Sequence, residues 1–201
     1  MLNILVACEF SGAVRQAFTA LGHYAMSCDL LPTDMPGEHY RGDVTDVLDW
    51  GWDLMIAHPP CTYLCNSGVS WLHKQPGRGQ QMAEGAAFFK TLLNAPISHI
   101  AVENPIMHKY AVAIVGRRQN QVVQPYQHGH GESKATCLWL KNLPELTPTN
   151  MVSGREQRLH RLPPSAERWK IRSTTYSGIA KAMAMQWSQA VLDNYRDPLP
   201  L

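Results

Sequence analysis

The side chains of this chain best equipped for chemistry stand where apolar runs end. Cys61 follows Leu54-Met55-Ile56-Ala57-His58 across a Pro59-Pro60 pair, Glu103 and Asn104 close the run from His99 to Val102 ahead of Pro105, and Asp29 closes Tyr24 to Cys28. A thiolate is a strong nucleophile, and a rigid Pro-Pro approach would fix it over a substrate ring. A nearby carboxyl is suited to holding or moving a proton. An acid ending a strand can accept hydrogen bonds from a ribose diol, and the turn Glu9-Phe10-Ser11-Gly12 would let a ligand approach the backbone and the start of the next helix. No G-x-G-x-x-G run is present, so that turn has little specificity by itself.

Cys61 admits two other readings. A buried structural thiol is common, although it has no need of two preceding prolines. As a metal ligand Cys61 would pair with Cys65, a C-x3-C spacing within the zinc range, with His58 and His73 nearby. The counterpart pair is missing: the chain has neither the H-x-E nor the P-C-x-x-C of zinc-dependent base deaminases, and His128 and His130 sit in a glycine-flanked turn.

The order of elements says what positions these residues. Residues 2–8 form an apolar run, 11–22 have helical spacing closed by Gly22, and 24–29 and 52–58 read as strands. Residues 41–51 read as a short strand end leading into a helical turn. A helix over 80–95 precedes a strand over 99–104, and strands are predicted in 120–129, at an edge because of Pro125, and in 135–144. The basic segment 153–172, with two prolines, reads mostly as loop, and a helix over 173–195 carries a core stripe from Ile179 to Val191. Strands alternating with helices imply an α/β, doubly wound, mostly parallel sheet, whose ligands collect at the carboxyl ends of the strands.

Composition narrows the class. The chain has 201 residues, 45% hydrophobic and 17% charged, enough for one domain over 1–201 with a full core. A formal net charge of +2 is too small to mark a nucleic-acid binder, so any basic footprint is local. Five scattered cysteines and no leading signal segment predict free thiols in a reducing cytoplasm. No apolar run approaches the roughly eighteen residues of a membrane span, so no membrane partner is expected.

Taken together, ILVACEFSGAVRQAF, DLMIAHPPCTYLCNSG and HIAVENP resemble, in the same chain order, the cofactor-binding, Pro-Cys and Glu-Asn motifs of the cytosine carbon-5 DNA methyltransferases. The likeness covers most of residues 1–105, and KATCLWL and TYSGIAKAMAMQW resemble later motifs more loosely. Where the family has a Phe-x-Gly-x-Gly-Gly run, this chain has Cys8-Glu9-Phe10-Ser11-Gly12-Ala13. The resemblance implies a Rossmann-like fold that binds S-adenosylmethionine. Glu9, Phe10, Ser11, Gly12 and Pro59 would line its site, with Asp29 on the ribose and Asp43 near the adenine. It implies Cys61 as the nucleophile that adds to carbon 6, behind Pro60, with Glu103 at ring nitrogen 3 and Asn104 shaping the base pocket. Burial beside a ring is expected to raise the Glu103 pKa.

The family's recognition region has no full counterpart, since only about 70 residues lie between the middle strands and the last helix. DNA contacts would fall to Trp71, Lys74 and Arg78 in the loop 62–79, to Lys134, and to Arg155, Arg158, Arg161, Arg168, Lys170 and Arg172 in the basic segment. A cytosine in duplex DNA would have to flip out to reach Cys61. Two other functions stay open: the same thiol chemistry on a free pyrimidine nucleotide or with a group other than methyl, and a non-catalytic nucleic-acid-binding protein on this scaffold. A compact enzyme of this type would fit a phage or mobile element.

Overall fold

The central strands are apolar without alternation because both faces of the sheet are covered. In the computed structural model, which describes residues 1–196, β1 (Asn3–Ala7), β2 (Tyr24–Asp29), β3 (His39–Arg41), β4 (Leu54–Ala57) and β5 (His99–Asn104) are parallel. β6 (Gln121–Val123) is the far edge, and β7 (Thr136–Lys141) runs antiparallel between β5 and β6. Among the described residues the order is β3-β2-β1-β4-β5-β7-β6, so the predicted doubly wound, mostly parallel sheet is the observed one. Residues 197–201 of the expected single domain lie outside the described residues.

Alternate residues of β1 serve two cores. Leu5 and Ala7 join Phe89 and Leu92 of α2 (Arg78–Leu93) and Ala111 of α3 (Lys109–Val115). Ile4 and Val6 join Phe18 of α1 (Ala13–Thr19) and Met183 and Trp187 of α6 (Ser177–Arg196), which is the predicted core stripe. Trp139 of β7 meets Phe89 edge-on at 5.0 Å, fixing α2 across the strands whose ends carry the candidate site.

Two segments carry helices that the sequence does not announce. The basic segment is mostly loop, as expected, but it also holds the short helices α4 (Arg158–Arg161) and α5 (Arg168–Ser173), separated by Pro163-Pro164, which no helix interior accommodates. α3 has no clear helical signal, being only seven residues long with three β-branched members; it is set by tertiary contacts and by His108, whose Nδ1 accepts the Ala111 N–H. Among the described residues no helix is long and apolar enough to cross a membrane.

Candidate active site

From β1 the chain winds outward through β2 and β3, then returns to place β4 on the other side of β1, and loops part at that reversal. A cavity of about 660 Å³ opens there. Cys61, Pro60, Glu103 and Asn104 line it, as do the candidate cofactor residues Glu9, Phe10, Ser11, Asp29 and Pro59. Trp71, Arg78, Lys134 and Arg172 complete its wall from three separate segments, whereas Gly12, Asp43, Arg155, Arg158 and Arg161 do not line it.

At the end of β1, Cys8 takes a left-handed conformation (φ 57°) and turns the chain so that Glu9 points back under α1. The Glu9 carboxylate, 4% exposed, accepts the N–H groups of Val14 (2.7 Å) and Arg15 (3.2 Å) and the Ser11 hydroxyl (3.3 Å). Those helix-start donors, offered to a ligand in the sequence reading, are therefore taken by the protein's own acid. Gly12, φ 72°, lies behind this cap, where a Cβ would stand 2.7 Å from Arg15 Nη2. The buried Arg15 guanidinium donates to the carbonyls of Met35 (2.6 Å), Pro36 (3.0 Å) and Glu38 (3.0 Å) and so ties down the segment after β2. Asp29 ends β2 on the cavity wall, with Oδ1 accepting the Leu31 N–H at 2.9 Å. Asp43 is instead used as a turn cap: Oδ1 accepts the backbone N–H (2.9 Å) and hydroxyl (2.8 Å) of Thr45, which hold its carboxyl below the usual range.

Beyond β4, His58 donates its backbone N–H to Ala7 at 2.9 Å, and Pro59-Pro60 leads into one helical turn in which the Cys61 carbonyl accepts from Leu64 and Cys65. Cys61 is half-buried and Cys65 buried, with Cys65 Sγ 3.0 Å from the Ser67 hydroxyl. A hydrogen bond with Cys65, burial and the nearby Glu103 carboxylate push the Cys61 thiol well above its ordinary range. Removing the Cys65 thiol should reverse the largest of these effects. Cys65→Ala is expected to speed alkylation of Cys61 by iodoacetamide at pH 8, about tenfold for each unit by which its pKa falls. Unchanged labelling by peptide mass spectrometry would count against that coupling. For the metal reading, the nearby histidines are otherwise engaged: His58 bonds Glu103 and the His73 ring meets Tyr110 at 6.0 Å. Among the described residues no group of three or more His, Cys, Asp or Glu has metal-holding geometry.

Glu103 and Asn104 end β5 beside the Pro-Pro turn. Asn104, fully buried, donates from Nδ2 to the Pro59 carbonyl at 3.1 Å and so clamps the loop that carries Cys61. The Glu103 carboxylate faces His58, with Oε2 3.2 Å from Nδ1. Because β7 runs antiparallel to β5, the residues entering β7 lie beside the exit of β5, which brings Lys134 near Glu103. Lys134 Nζ is itself held by the Arg172 carbonyl at 2.8 Å. Burial acts to raise the Glu103 pKa, but the His58 hydrogen bond and the Lys134 charge outweigh it and hold the carboxyl below its usual range. This reverses the expectation from burial alone. In the sequence His58 stands out only as a candidate metal ligand; its position ending a strand just before Pro59-Pro60 is the signal for a role at the site.

The basic segment folds over the cavity mouth instead of lying open. Arg155 packs 3.4 Å above the Tyr126 ring centroid, and Arg158 bonds Glu132 at 3.0 Å, a carboxylate that also accepts the Tyr176 hydroxyl. Arg161 is exposed at the end of α4. Trp169 of α5 meets Phe10 at 5.3 Å, and Lys170 reaches Asp34 at 3.4 Å. On the other rim Arg78 donates to the Thr62 carbonyl and lies over Tyr63, while Trp71 is 55% exposed.

The chain matches no family model, and no curated protein matches it. Among solved structures it is similar to a candidate DNA modification methyltransferase encoded within a prophage of E. coli, with a TM-score of 0.50 and 13% identity over 82% of this chain and 56% of that one. It is also similar to the methyltransferase EhMeth of Entamoeba histolytica, with a TM-score of 0.48 and 13% identity over 83% of this chain and 61% of that one. This chain therefore spans less than two thirds of the length of either. The fold is the Rossmann-like fold of methyltransferases.

Proposed function

We propose that this protein is a methyltransferase that uses S-adenosylmethionine to methylate carbon 5 of cytosine in DNA, through a covalent adduct at Cys61. The observation that carries the reading is the meeting of a Pro-Pro-Cys turn and a Glu-Asn strand end in one cavity that also reaches Phe10 and Asp29. A cavity of about 660 Å³ is within the range for cofactor-sized ligands. Its apolar wall at Phe10, Leu31 and Trp169, with the Asp29 carboxylate alongside, suits a nucleoside bearing a positive charge. When bound, that cofactor supplies an electrophilic methyl group.

The chain's own residues do the rest. Cys61, as thiolate, forms a bond to carbon 6, and the π pair between carbons 5 and 6 moves onto the ring, making carbon 5 nucleophilic. Glu103 holds the edge of the ring at nitrogen 3. Asn104 keeps the thiol-bearing loop in place through Pro59. Once carbon 5 carries the methyl group it loses its proton to water, the double bond re-forms, and Cys61 leaves as thiolate. Trp71, Arg78, Lys134 and Arg172 surround the mouth through which a flipped base would enter.

A second reading, the same thiol chemistry on a free pyrimidine nucleotide, is favoured by one observation. Arg155 and Arg158 are engaged within the protein, which leaves less basic surface for a phosphate backbone than the sequence offers. Incubation with S-adenosylmethionine and an oligonucleotide carrying 5-fluorocytosine separates the readings. A covalent protein–DNA adduct on a denaturing gel, lost in Cys61→Ala, is the expected result. Methyl transfer to dCMP or dUMP without such an adduct would support the second reading. Salt-dependent DNA binding with no cofactor affinity, unchanged in Cys61→Ala, would leave only a binding protein.

A further inference from the structure

His58 differs from His39, His99 and His108. His39 bonds Ser27 and the Leu31 carbonyl, His99 bonds the Asp53 carbonyl and Asn194, and His108 bonds the Tyr63 carbonyl and the Ala111 N–H, so each uses both ring nitrogens. That is the normal state of a buried imidazole. His58 uses one. Its Nδ1 meets Glu103 Oε2 at 3.2 Å, while Nε2 is buried and has no partner. The two side chains are 10% and 16% exposed, and both line the cavity that holds Cys61.

We infer that His58 supplies, through Glu103, the proton that ring nitrogen 3 takes up when Cys61 adds to carbon 6. The inference rests on the thiol-addition reading above and names the source of a proton which that reading needs. Adding a thiolate to the ring leaves an electron pair that must be neutralised at nitrogen 3, and an ionised Glu103 brings no proton of its own. The balance closes with His58. As the sulfur–carbon bond forms and the π pair moves onto the ring, Glu103 takes the Nδ1 proton of a protonated His58 and passes it on to nitrogen 3. The ring that remains is a neutral imidazole with its proton on Nε2. The thiol proton of Cys61 leaves to water. When Cys61 departs, the proton on nitrogen 3 returns through Glu103 to Nδ1. His58 thus acts through Glu103, as a positioning and proton-supplying residue that does not itself touch the base. The other ionisable groups lining this cavity are Cys8, Glu9, Asp29, Cys61, Cys65, Arg78, Lys134, His160 and Arg172, and Cys137 of β7 lies close enough to feel the Glu103 charge.

The test compares His58→Asn, whose amide can replace the Nδ1–H donor but carries no transferable proton, with His58→Gln and His58→Ala. Adduct formation on the 5-fluorocytosine oligonucleotide is followed by rapid quench from pH 6 to 9, and binding of oligonucleotide and cofactor is titrated separately. All three variants are expected to slow the adduct by about 10²-fold or more, with a flattened pH profile and binding within about twofold of the parent protein. An Asn variant at the parent rate and profile would reduce His58 to a hydrogen-bond donor and overturn the inference. So would three folded variants that all keep the parent rate. In both cases the parent adduct leaves the proposed function standing; a parent protein that forms no adduct removes that reading and this inference together.

Discussion

Glu103→Gln is expected to lower the rate of methyl transfer by about 10²- to 10⁴-fold, the usual share of a general acid or base, while cofactor and DNA binding change little. Glutamine keeps the shape of the side chain and an oxygen that can accept from His58 Nδ1, but it cannot pass a proton. The same substitution removes a negative charge that helps push the Cys61 thiol up. Alkylation of Cys61 should therefore become faster as turnover falls, with an unchanged circular-dichroism spectrum and melting temperature excluding unfolding, which would also expose the thiol. Single-turnover transfer and iodoacetamide labelling on one preparation measure both, and unchanged transfer would remove Glu103 from the reaction. Stability should respond as well. A carboxyl held below its ordinary range contributes stability above that range, which is lost as the pH falls through its folded-state value, so the variant should unfold with a weaker pH dependence on the acid side.

The second large effect is structural. Arg15→Met is expected to cost about 3–5 kcal/mol of folding stability, a large part of the ~5–15 kcal/mol typical of a domain. Arg15 is 1% exposed, and its guanidinium satisfies three carbonyls between Met35 and Glu38. Methionine fills similar volume but leaves the buried Glu9 carboxylate without its neighbouring cation and takes away the donor of three carbonyls on surface residues. Because that segment follows the β2 end that carries Asp29, weaker cofactor binding should accompany the loss. Urea unfolding followed by circular dichroism gives the stability term. A change below about 1 kcal/mol would show that water replaces the guanidinium without penalty.

Arg15 also marks where sequence reading stops. Within Ala13 to Phe18 it looks like one charged position on a surface helix, and nothing nearby reveals that three carbonyls some twenty residues away close on it. Glu9 was legible as a polar residue at a strand end, but its use as the cap of α1 depends on Cys8 turning the chain back. Lys134 reaches Glu103 only because β7 enters the sheet antiparallel, a direction that an apolar run does not encode. The cations of the basic segment were visible in the sequence, whereas their internal partners Tyr126, Glu132 and Asp34 are brought up by the packing of the segment across the cavity.

What the sequence determined alone is the local and periodic part. Continuous apolar runs must become strands covered on both sides, helices must alternate with them, and polar residues after such runs must emerge at strand ends; Cys61, Glu103 and Asp29 were placed on that basis. Only the tertiary structure decided how these groups act on one another. The protonation of Glu103, the resting state of the Cys61 thiol and the role of His58 depend on charges and donors a few ångströms away in space but up to 45 residues away in sequence, and electrostatic coupling follows the first distance, not the second.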